Sequence, residues 1–514
     1  MVERDEYGTE DTVVFGIRWD GGKCPRNGRK WLTAAIAVVA AVLLPAAAAQ
    51  AAPSHGREVR GLVVPAAGHD GDARRLVAGL GGHAGRRLGI VGGFAARVPA
   101  DALARLASSR VIRSATPDVS LTVRSADEDG AAAAAASMDV VRSASGSQSL
   151  QDRGIDGSGV GVALVDSGAM RLPGLDDGQL AIGPDFSRDA DDPDLRGLDA
   201  FGHGTHLAGI IAGHDGAYSG VAPGAHVVSV KVADAGGSTN LLRLLAGLDW
   251  VRRHHSQLDI RVVNLSLGVG VANAGYVREP LAYAVEQLWR SGLVVVAAAG
   301  NGGAASGQLD LPAADPYVVA VGGADTAGTQ PRDDDAVASF SSRGTVRSPD
   351  VIAPATRISS LRVPGSTLDH AFPAARIGDR WFRGSGTSQA AAVVSGLVAQ
   401  LLQQRPGLSP DQVKALLVSG AVPVDGADAS AEGAGEADAA GSAAQPTPSA
   451  SAVAQSFPRA VLDLRRLNLT GTNRHSAIGD DRWAGSTWSG STWSGSTWSG
   501  STWSAASWGD DEGS

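Results

Sequence analysis

The chain has 514 residues, more than one ordinary domain needs, and 43% of them are hydrophobic, enough to bury a sizeable core. Its formal net charge of −9 at pH 7 provides no basic surface, so nucleic acid is excluded as an expected partner. The single cysteine, Cys24, precedes an apolar stretch near the N-terminus, which leaves the rest of the chain without a thiol or a disulfide.

Residues 1–52 have the pattern of an export signal with a long n-region. Four basic residues stand ahead of an apolar run: Lys23, Arg26, Arg29 and Lys30. That run covers residues 31–44, and Ala49-Gln50-Ala51 then fits a small-x-small cleavage site. An uncleaved membrane anchor is the alternative, since the run approaches the length of a membrane span, but its richness in alanine favours cleavage. We therefore expect a secreted protein, and association with the cell surface stays open.

Residues 57–125 are predicted to form a separate small α+β domain. Strand-like and helix-like runs follow one another along it: 59–64, 72–80, 88–98, 100–109 and 111–117. Residues 126–138 are acidic and then rich in alanine, which is typical of a linker that is open to processing.

Strand-like and helix-like segments also alternate through residues 139–425. The clearest of them, in chain order, are 159–165, 207–213, 227–232, 241–253, 261–265, 281–290, 293–298, 318–321, 390–398 and 410–418. Such alternation predicts parallel strands that are joined by helices. The expected fold class is therefore α/β, a doubly wound, mostly parallel sheet preceded by the small α+β domain and followed by a disordered tail.

An Asp, a His and a Ser stand in that order at the ends of such segments. Asp166 ends a strand-like run, His203 lies between two glycines just before an apolar helix-like run, and Ser388 opens another helix-like run. In open α/β sheets, functional sites gather at the carboxyl ends of the strands. Each residue alone is more often a turn, loop or cap residue, but together they supply a nucleophile, a base and an orienting carboxylate. The pattern predicts a nucleophilic hydrolase whose catalytic residues are Asp166, His203 and Ser388.

These segments resemble the motifs of the subtilisin-like serine proteases, the subtilases, in which the three residues follow the same chain order. The resemblance covers about residues 140–423 and includes Val263-Asn264-Leu265-Ser266-Leu267-Gly268 and residues 294–301. It implies a subtilisin-like fold and a serine endopeptidase that hydrolyses protein or peptide substrates through an acyl-enzyme. It also implies that Asn301 and the backbone N–H of Ser388 donate hydrogen bonds to the developing oxyanion.

The resemblance further assigns the substrate cleft. Ser266, Leu267 and Gly268 match the segment that pairs with a bound peptide as an added strand, and Ala298 and Gly300 would flank the primary pocket beside it. No charged residue occurs in these two segments, which predicts that the pocket prefers an apolar side chain over a charged one.

The chain departs from the family pattern just after the expected nucleophile. Subtilases usually have Gly-Thr-Ser-Met-Ala-x-Pro, whereas this chain has Gln389 in place of the Met and Ala392 in place of the Pro. Alanine is an excellent helix former, so we expect the helix and the fold to survive. The departure is expected to affect the rate and the substrate range more than the activity itself.

By the same resemblance, residues 57–125 correspond to the inhibitory propeptide of subtilases. The similarity lies in residues 93–99, 102–106 and 116–118. It implies a self-inhibited precursor, in which the propeptide is an intramolecular inhibitor that helps the peptidase to fold and blocks its cleft until it is removed. An unrelated globular module is the alternative.

No cofactor is required by this chemistry, and no metal site is predicted. His203 and His206 have a spacing that could hold a metal, but no third ligand is apparent, so His206 is interpreted as structural. The acidic stretches 189–194 and 333–335 are interpreted as solvated turns. Calcium binding at either of them, as a structural ion, is the alternative.

Residues 426–457 are rich in Ala, Gly, Ser and acidic residues, lack hydrophobic periodicity, and are predicted to be a disordered linker. In the C-terminal tail, residues 458–514, tryptophans recur every five residues between Ser, Gly and Thr: Trp483, Trp488, Trp493, Trp498, Trp503 and Trp508. Exposed aromatics on a flexible polar chain are typical of a weak binder of glycans, cell wall or a membrane interface, and low-complexity drift without function is an equal alternative. The tail gives an alternative function, that of a cell-surface binding protein in which the protease fold is a scaffold.

Overall fold

A computed structural model describes residues 58–123, 136–176, 178–268 and 275–462. The predicted export signal, most of the predicted linker and the tryptophan repeats lie outside these residues. In the part of the chain that is described, no helix is long and apolar enough to cross a lipid bilayer.

The N-terminal segment forms a small α+β domain and one extra strand. Its elements are β1 (Glu58–Pro65), α1 (Asp70–Gly79), β2 (His83–Leu88), β3 (Gly93–Pro99), α2 (Ala102–Ser108), β4 (Ile112–Pro117) and β5 (Ser120–Val123). The first four strands make an antiparallel sheet in the order β2-β3-β1-β4. Val63 of β1 packs with the helices of this domain, whereas its neighbours Leu62 and Val64 join the core of the large domain. The sheet is therefore apolar on both faces.

A large α/β domain follows. Its first elements are α3 (Met138–Ala144), α4 (Ser147–Gln151), β6 (Gly161–Asp166), β7 (Leu180–Asp185), α5 (His203–Ala212), β8 (His226–Lys231), β9 (Ser238–Asn240), α6 (Leu241–His254), β10 (Ile260–Leu265), β11 (Leu267–Gly268), α7 (Pro280–Arg290) and β12 (Val294–Ala298). Its later elements are β13 (Val319–Asp325), β14 (Ala336–Val337), β15 (Val351–Pro354), β16 (Ile358–Leu361), α8 (Thr367–Ala371), β17 (Arg376–Ile377), β18 (Trp381–Gly384), α9 (Thr387–Gln404), α10 (Pro410–Gly420), α11 (Ala429–Glu432), α12 (Ala439–Ala444) and α13 (Ala450–Val453).

An eight-stranded sheet forms the centre of the described part of this domain. Seven strands follow the order β14-β13-β12-β10-β6-β8-β7, and β15 also pairs with β13. All pairs are parallel except that of β13 with β14. β6 is buried along its whole length because α5 packs against it on one side and α6 on the other, as expected for a strand in a doubly covered parallel sheet. The predicted α/β fold is confirmed.

β5 lies outside the sheet of its own domain. It is the middle strand of a three-stranded antiparallel sheet, in which β11 and β9 of the large domain are its neighbours. The last strand of the N-terminal segment is therefore hydrogen-bonded to the large domain along both of its edges.

Residues 426–457, predicted to be a disordered linker, are instead packed on the large domain, and this prediction was wrong. Glu436 exchanges two backbone hydrogen bonds with Val422, and Ala437 and Ala439 are fully buried. Small residues allow backbones to approach closely, and such packing leaves no hydrophobic periodicity in the sequence. Nearby, Ala460 is buried and its N–H donates to Glu286, so the chain continues along the domain surface.

We expect the substitution Gly420→Ala to destabilise the protein by about 1–3 kcal/mol, because the added Cβ would lie 2.3 Å from the backbone nitrogen of Ser442 in α12. In a helix without such a neighbour the same change stabilises by up to about 1 kcal/mol. The sign of the change in the free energy of unfolding therefore tests whether α12 packs against Gly420. The measurement is the free energy of unfolding in urea.

Gly407→Ala is the control for this prediction, because a Cβ at Gly407 would meet only open space, and it is expected to be nearly neutral. An unchanged or higher stability for Gly420→Ala would contradict the packing of α12 against α10.

Candidate active site

The three predicted catalytic residues occupy the ends of three elements. Asp166 is the last residue of β6, His203 is the first residue of α5, and Ser388 is the second residue of α9. All three are buried, and α5 and α9 pack against each other. The fold thus fixes the backbone of each residue within regular structure.

Asp166 and His203 form a buried hydrogen bond. His203 Nδ1 lies 2.8 Å from Asp166 Oδ1, which also accepts the N–H of Ser167 at 2.7 Å. A carboxylate in this position holds the proton on Nδ1 and leaves Nε2 unprotonated. His203 Nε2 is buried and has no hydrogen-bond partner among the described residues. The imidazole is therefore oriented to accept a proton at Nε2.

Ser388 stands in the first turn of α9, where the positive end of the helix dipole favours a negative charge. Its Oγ donates to the carbonyl oxygen of Ser266 at 3.1 Å, and the Oγ of Ser266 lies 2.8 Å from Asn264 Oδ1 and 3.1 Å from the carbonyl oxygen of Ser388. These contacts join the start of α9 to the segment that follows β10.

The Asn301 side chain is held by the residue before Ser388. Its Oδ1 accepts both the backbone N–H and the Oγ1–H of Thr387, each at 2.9 Å. Because the amide oxygen is engaged, the Nδ2 group is the part that can donate to a ligand. Asn301 and Ser388 line the same small pocket. The structure therefore brings the predicted oxyanion donor and the predicted nucleophile together.

The five residues predicted to bind substrate line this pocket as well: Ser266, Leu267, Gly268, Ala298 and Gly300. β5 covers it, since Thr122 is a further lining residue. Thr122 pairs with Gly268 and Val123 with Leu267, so β5 approaches Ser266 as the chain proceeds. On its other edge, β5 pairs with β9. A peptide strand of this very chain thus lies along the predicted cleft.

Asp310 also lines the pocket, and it was missed by the sequence analysis. The prediction of an apolar preference rested on the absence of charge in residues 266–268 and 297–300. Those segments carry no charge, but Asp310 joins them from the loop between β12 and β13. The lack of charge in those two segments therefore does not make the pocket uncharged, and the apolar preference no longer follows from it.

Asp199, four residues before His203, was also missed. It is fully buried, and its two oxygens accept four hydrogen bonds, from Ser167 Oγ, Gly202 N, Thr205 N and Thr205 Oγ1, at 2.6–2.8 Å. It therefore joins the turn after Asp166 to the first turn of α5. The sequence offers no capping signal for it, because Asp199 lies three residues before Gly202, the residue at the N-cap position of α5.

A buried ion pair lies behind this turn. Lys231, the last residue of β8, donates to the carbonyls of Ser167 and Ala233 and contacts Asp189 at 2.9 Å. Asp189 belongs to the acidic stretch that was considered for calcium, and here its charge is neutralised by a lysine. Within the described residues, no cluster of three or more His, Cys, Asp or Glu side chains could hold a metal ion.

His206 is a structural residue at the back of the site. Its Nε2 lies 3.1 Å from the carbonyl of Phe382 and 3.3 Å from that of Ile358, which leaves it no role as a metal ligand through that atom. Burial, with a smaller effect of the charge of His203, lowers the pKa of the His206 imidazole to about 4. Gln389 is buried beside it, against Gly384. The unusual residue after Ser388 thus packs behind the nucleophile.

Comparison with known proteins identifies the family of the large domain. The model of the subtilase family matches residues 157–443. Serine protease AprX of Bacillus subtilis (strain 168) is 38% identical over 271 residues, which cover 50% of this chain and 60% of AprX. The extracellular serine proteinase of Thermus sp. (strain Rt41A) is 35% identical over 235 residues, 46% of this chain and 49% of that protein. The chain therefore spans less than two thirds of the length of these relatives.

Among solved structures, fervidolysin from Fervidobacterium pennivorans, a keratinolytic enzyme related to subtilisin, superimposes with a TM-score of 0.61. The match covers 77% of this chain and 62% of fervidolysin at 24% sequence identity. At this identity the likeness concerns the fold.

We expect His206 to make the protein less stable as the pH falls from about 6.5 to about 4. Its pKa is lower in the folded than in the unfolded chain, so the unfolded state takes up the proton first, at a cost of up to about 3 kcal/mol to the folded state. The measurement is the free energy of unfolding in urea across this pH range.

His206→Asn is expected to flatten this pH dependence, whatever its effect at pH 7. His370→Asn, the same substitution at an exposed histidine, is the control and is expected to keep it. Equal slopes for the two variants would show that His206 is not the responsible group.

Proposed function

The chain belongs to the subtilase family, and from this premise we propose that it is a serine endopeptidase that hydrolyses protein or peptide substrates. Asp166, His203 and Ser388 are its catalytic residues. The observation that carries the proposal is the buried hydrogen bond between Asp166 and His203, which leaves the imidazole Nε2 able to act as a base, in a fold that packs the helix of His203 against the helix of Ser388.

In the first half of the reaction, Ser388 Oγ attacks the carbonyl carbon of the scissile bond and His203 Nε2 takes the hydroxyl proton. In this structure the hydroxyl donates to the Ser266 carbonyl, and the reaction requires it to donate to His203 Nε2 instead. Asp166 stabilises the imidazolium that forms and keeps its orientation. Because both groups are buried, their attraction is weakly screened.

The negative oxygen of the tetrahedral intermediate is held by Asn301 Nδ2 and by the backbone N–H of Ser388. The two bonds from Thr387 to Asn301 Oδ1 fix the amide before the substrate arrives, so little reorganisation is needed during the reaction. His203 then gives its proton to the leaving amine. In the second half, the same residues activate a water molecule, which hydrolyses the acyl-enzyme. The chemistry uses groups of the chain alone and needs no cofactor.

A substrate binds in the cleft as an extended strand between β11 and β9. Leu267 and Gly268 on one side, and residues 238–240 on the other, provide the backbone hydrogen bonds that β5 uses in this structure. Main-chain pairing of this kind gives affinity without sequence selection, and side-chain pockets then select among substrates.

The chain is made as a self-inhibited precursor. β5 pairs along the same strand edges that a substrate needs, so the two exclude each other. The N-terminal domain anchors it: Ile90 N–H donates to Asp249 of α6 at 2.7 Å, and Asp118 accepts the N–H of Leu242 at 3.1 Å. Residues 57–125 therefore act as an intramolecular inhibitor until the chain is cut between β5 and α3.

The enzyme acts outside the cell. Support comes from the signal pattern of residues 1–52 and from the extracellular relative of Thermus sp.. The alternative of a cell-surface binding protein rests on the tryptophan repeats, which lie outside the described residues, and it stays a prediction. A structural calcium ion likewise stays a prediction.

We expect wild-type protein to lose its N-terminal domain on incubation, whereas Ser388→Ala stays whole. The reason is that the triad is the agent that cuts the chain between β5 and α3. Intact-mass spectrometry before and after incubation checks this, with casein cleavage as a second readout. Ser419→Ala, an exposed serine on α10, is the matched control and should process like wild type. Processing of Ser388→Ala at the wild-type rate, in the purified protein, would contradict the proposed nucleophile.

We expect Asn301→Ala to lower kcat by about 100- to 1000-fold with little change in KM, because the amide acts on the oxyanion and not on the bound substrate. Steady-state kinetics on a chromogenic peptide checks this. Thr387→Val removes one of the two donors that orient Asn301 but keeps Nδ2, and should lower kcat by about tenfold or less. Equal losses in the two variants would indicate that Asn301 acts only by holding α9 in place.

A further inference from the structure

The pocket beside Ser388 contains a carboxylate. Of the described residues that line it, Asp310 is the one that carries a charge; the others are Thr122, Ser266, Leu267, Gly268, Ala298, Gly300, Asn301, Thr387 and Ser388. The set includes the proposed nucleophile and the proposed oxyanion donor. A side chain that enters this pocket therefore belongs to the residue whose carbonyl is attacked, or to a residue next to it.

The carboxylate lies between the two walls of the pocket. A Cβ added at Gly300 would lie 2.4 Å from Asp310 Oδ2, and one added at Gly268 would lie 2.9 Å from Asp310 Cβ. Gly268 belongs to the segment that pairs with β5, and Gly300 directly precedes Asn301. The absence of side chains at these two positions makes room for the carboxylate.

The backbone of Asp310 is fixed in this place. Its N–H donates to the carbonyl of Ala299 at 2.9 Å, and its carbonyl accepts the N–H of Ala314 at 2.8 Å. The Asp side chain has only two rotatable bonds, so an anchored backbone keeps the carboxylate at the pocket wall. Asp310 is half-buried, which means that water screens its charge only in part.

We propose that Asp310 determines the primary specificity of the enzyme by selecting a cationic side chain, Lys or Arg, on the amino side of the scissile bond. The inference rests on the proposed function, since it concerns the substrate of the same site. A charge-assisted hydrogen bond between a carboxylate and an ammonium or guanidinium group is among the stronger polar contacts in proteins. The same carboxylate repels Asp and Glu side chains and offers apolar side chains no charge-assisted hydrogen bond.

The chain itself suggests the probe. β5 enters the cleft and ends at Val123, the residue that follows in the sequence is Arg124, and residues 124–135 contain no other basic residue. A peptide that copies residues 118–128, Asp-Val-Ser-Leu-Thr-Val-Arg-Ser-Ala-Asp-Glu, carries this sequence. Four further peptides replace its Arg by Lys, Leu, Phe or Glu.

The test compares kcat/KM of self-processed wild type and of Asp310→Asn on the five peptides, with mass spectrometry to locate the cut. For wild type, we expect cleavage after Arg or Lys at least about tenfold faster than after Leu or Phe, and slowest after Glu. Asp310→Asn keeps the size of the side chain and removes its charge. It should lose about 10- to 100-fold on the Arg and Lys peptides and leave the Leu peptide nearly unchanged. Asp425→Asn, at an exposed position in the loop after α10, is the control and should behave like wild type.

Benzamidine and benzamide provide a second measurement that needs no variant. They have nearly the same shape, but benzamidine is a cation. The proposal predicts that benzamidine inhibits wild type competitively at a concentration at least about tenfold below that of benzamide. This measurement decides the matter if Asp310→Asn does not fold.

Two results would overturn the proposal in distinguishable ways. If wild type cleaves the Leu or Phe peptide best and benzamidine inhibits no better than benzamide, Asp310 does not select the substrate, and the proposed endopeptidase stands. If wild type cleaves none of the five peptides and no casein, the proposed function fails, and the specificity proposal fails with it.

Discussion

The hydrogen bond between Asp166 and His203 is the constraint on which the organisation of the site depends. A carboxylate without solvent exposure is costly to the fold unless donors surround it, and here the donors are His203 Nδ1 and the Ser167 backbone. Both donors reach the carboxylate only if the turn after β6 and the first turn of α5 are held in one fixed arrangement. Asp199 imposes that arrangement by bonding to both, and Lys231 holds the same turn from the side of β8. The polar network thus serves both the folding of this region and the proposed catalysis.

The proposed inhibitory role of the N-terminal domain also depends on contacts that stabilise the fold. Its sheet buries Val63 against its own helices and Leu62 and Val64 against the large domain, so separation would expose an apolar face. In the proposed precursor, this apolar face would add to the affinity between the N-terminal domain and the large domain. β5 would block the cleft, since it pairs with the edges of β11 and β9 that the proposed substrate needs. Cutting the chain leaves these contacts in place and removes only the covalent link. Release of the inhibitor then depends on concentration and on competing substrate, as for any two separate molecules.

Local features made the triad predictable from the sequence. Asp166 ends an apolar run, and His203 and Ser388 each open a helical run beside glycines, so a short window reveals both the residue and its structural position. Asp310 and Lys231 have no such mark. Asp310 reaches the pocket because the loop between β12 and β13 folds back beside Gly300, and the partners of Lys231 include Ser167, far away in the chain. The packing of residues 426–457 was not predicted, for another reason. Alanines that are buried where two backbones approach closely do not produce the alternation of hydrophobic and polar residues that indicates a core.

The composition of the segment between β5 and α3 gives the charged pocket a consequence for maturation. In residues 125–135 the side chains are those of one serine, alanines, a glycine and three acidic residues, Asp127, Glu128 and Asp129. A pocket with the carboxylate of Asp310 repels the acidic residues, and it gains little from alanine or glycine, which have almost no side chain to bind. Within residues 124–135, Arg124 alone has the positive charge and the long side chain that such a pocket would bind. Selection by charge would therefore confine cutting to one peptide bond, in a segment where a purely apolar pocket would find no preferred residue.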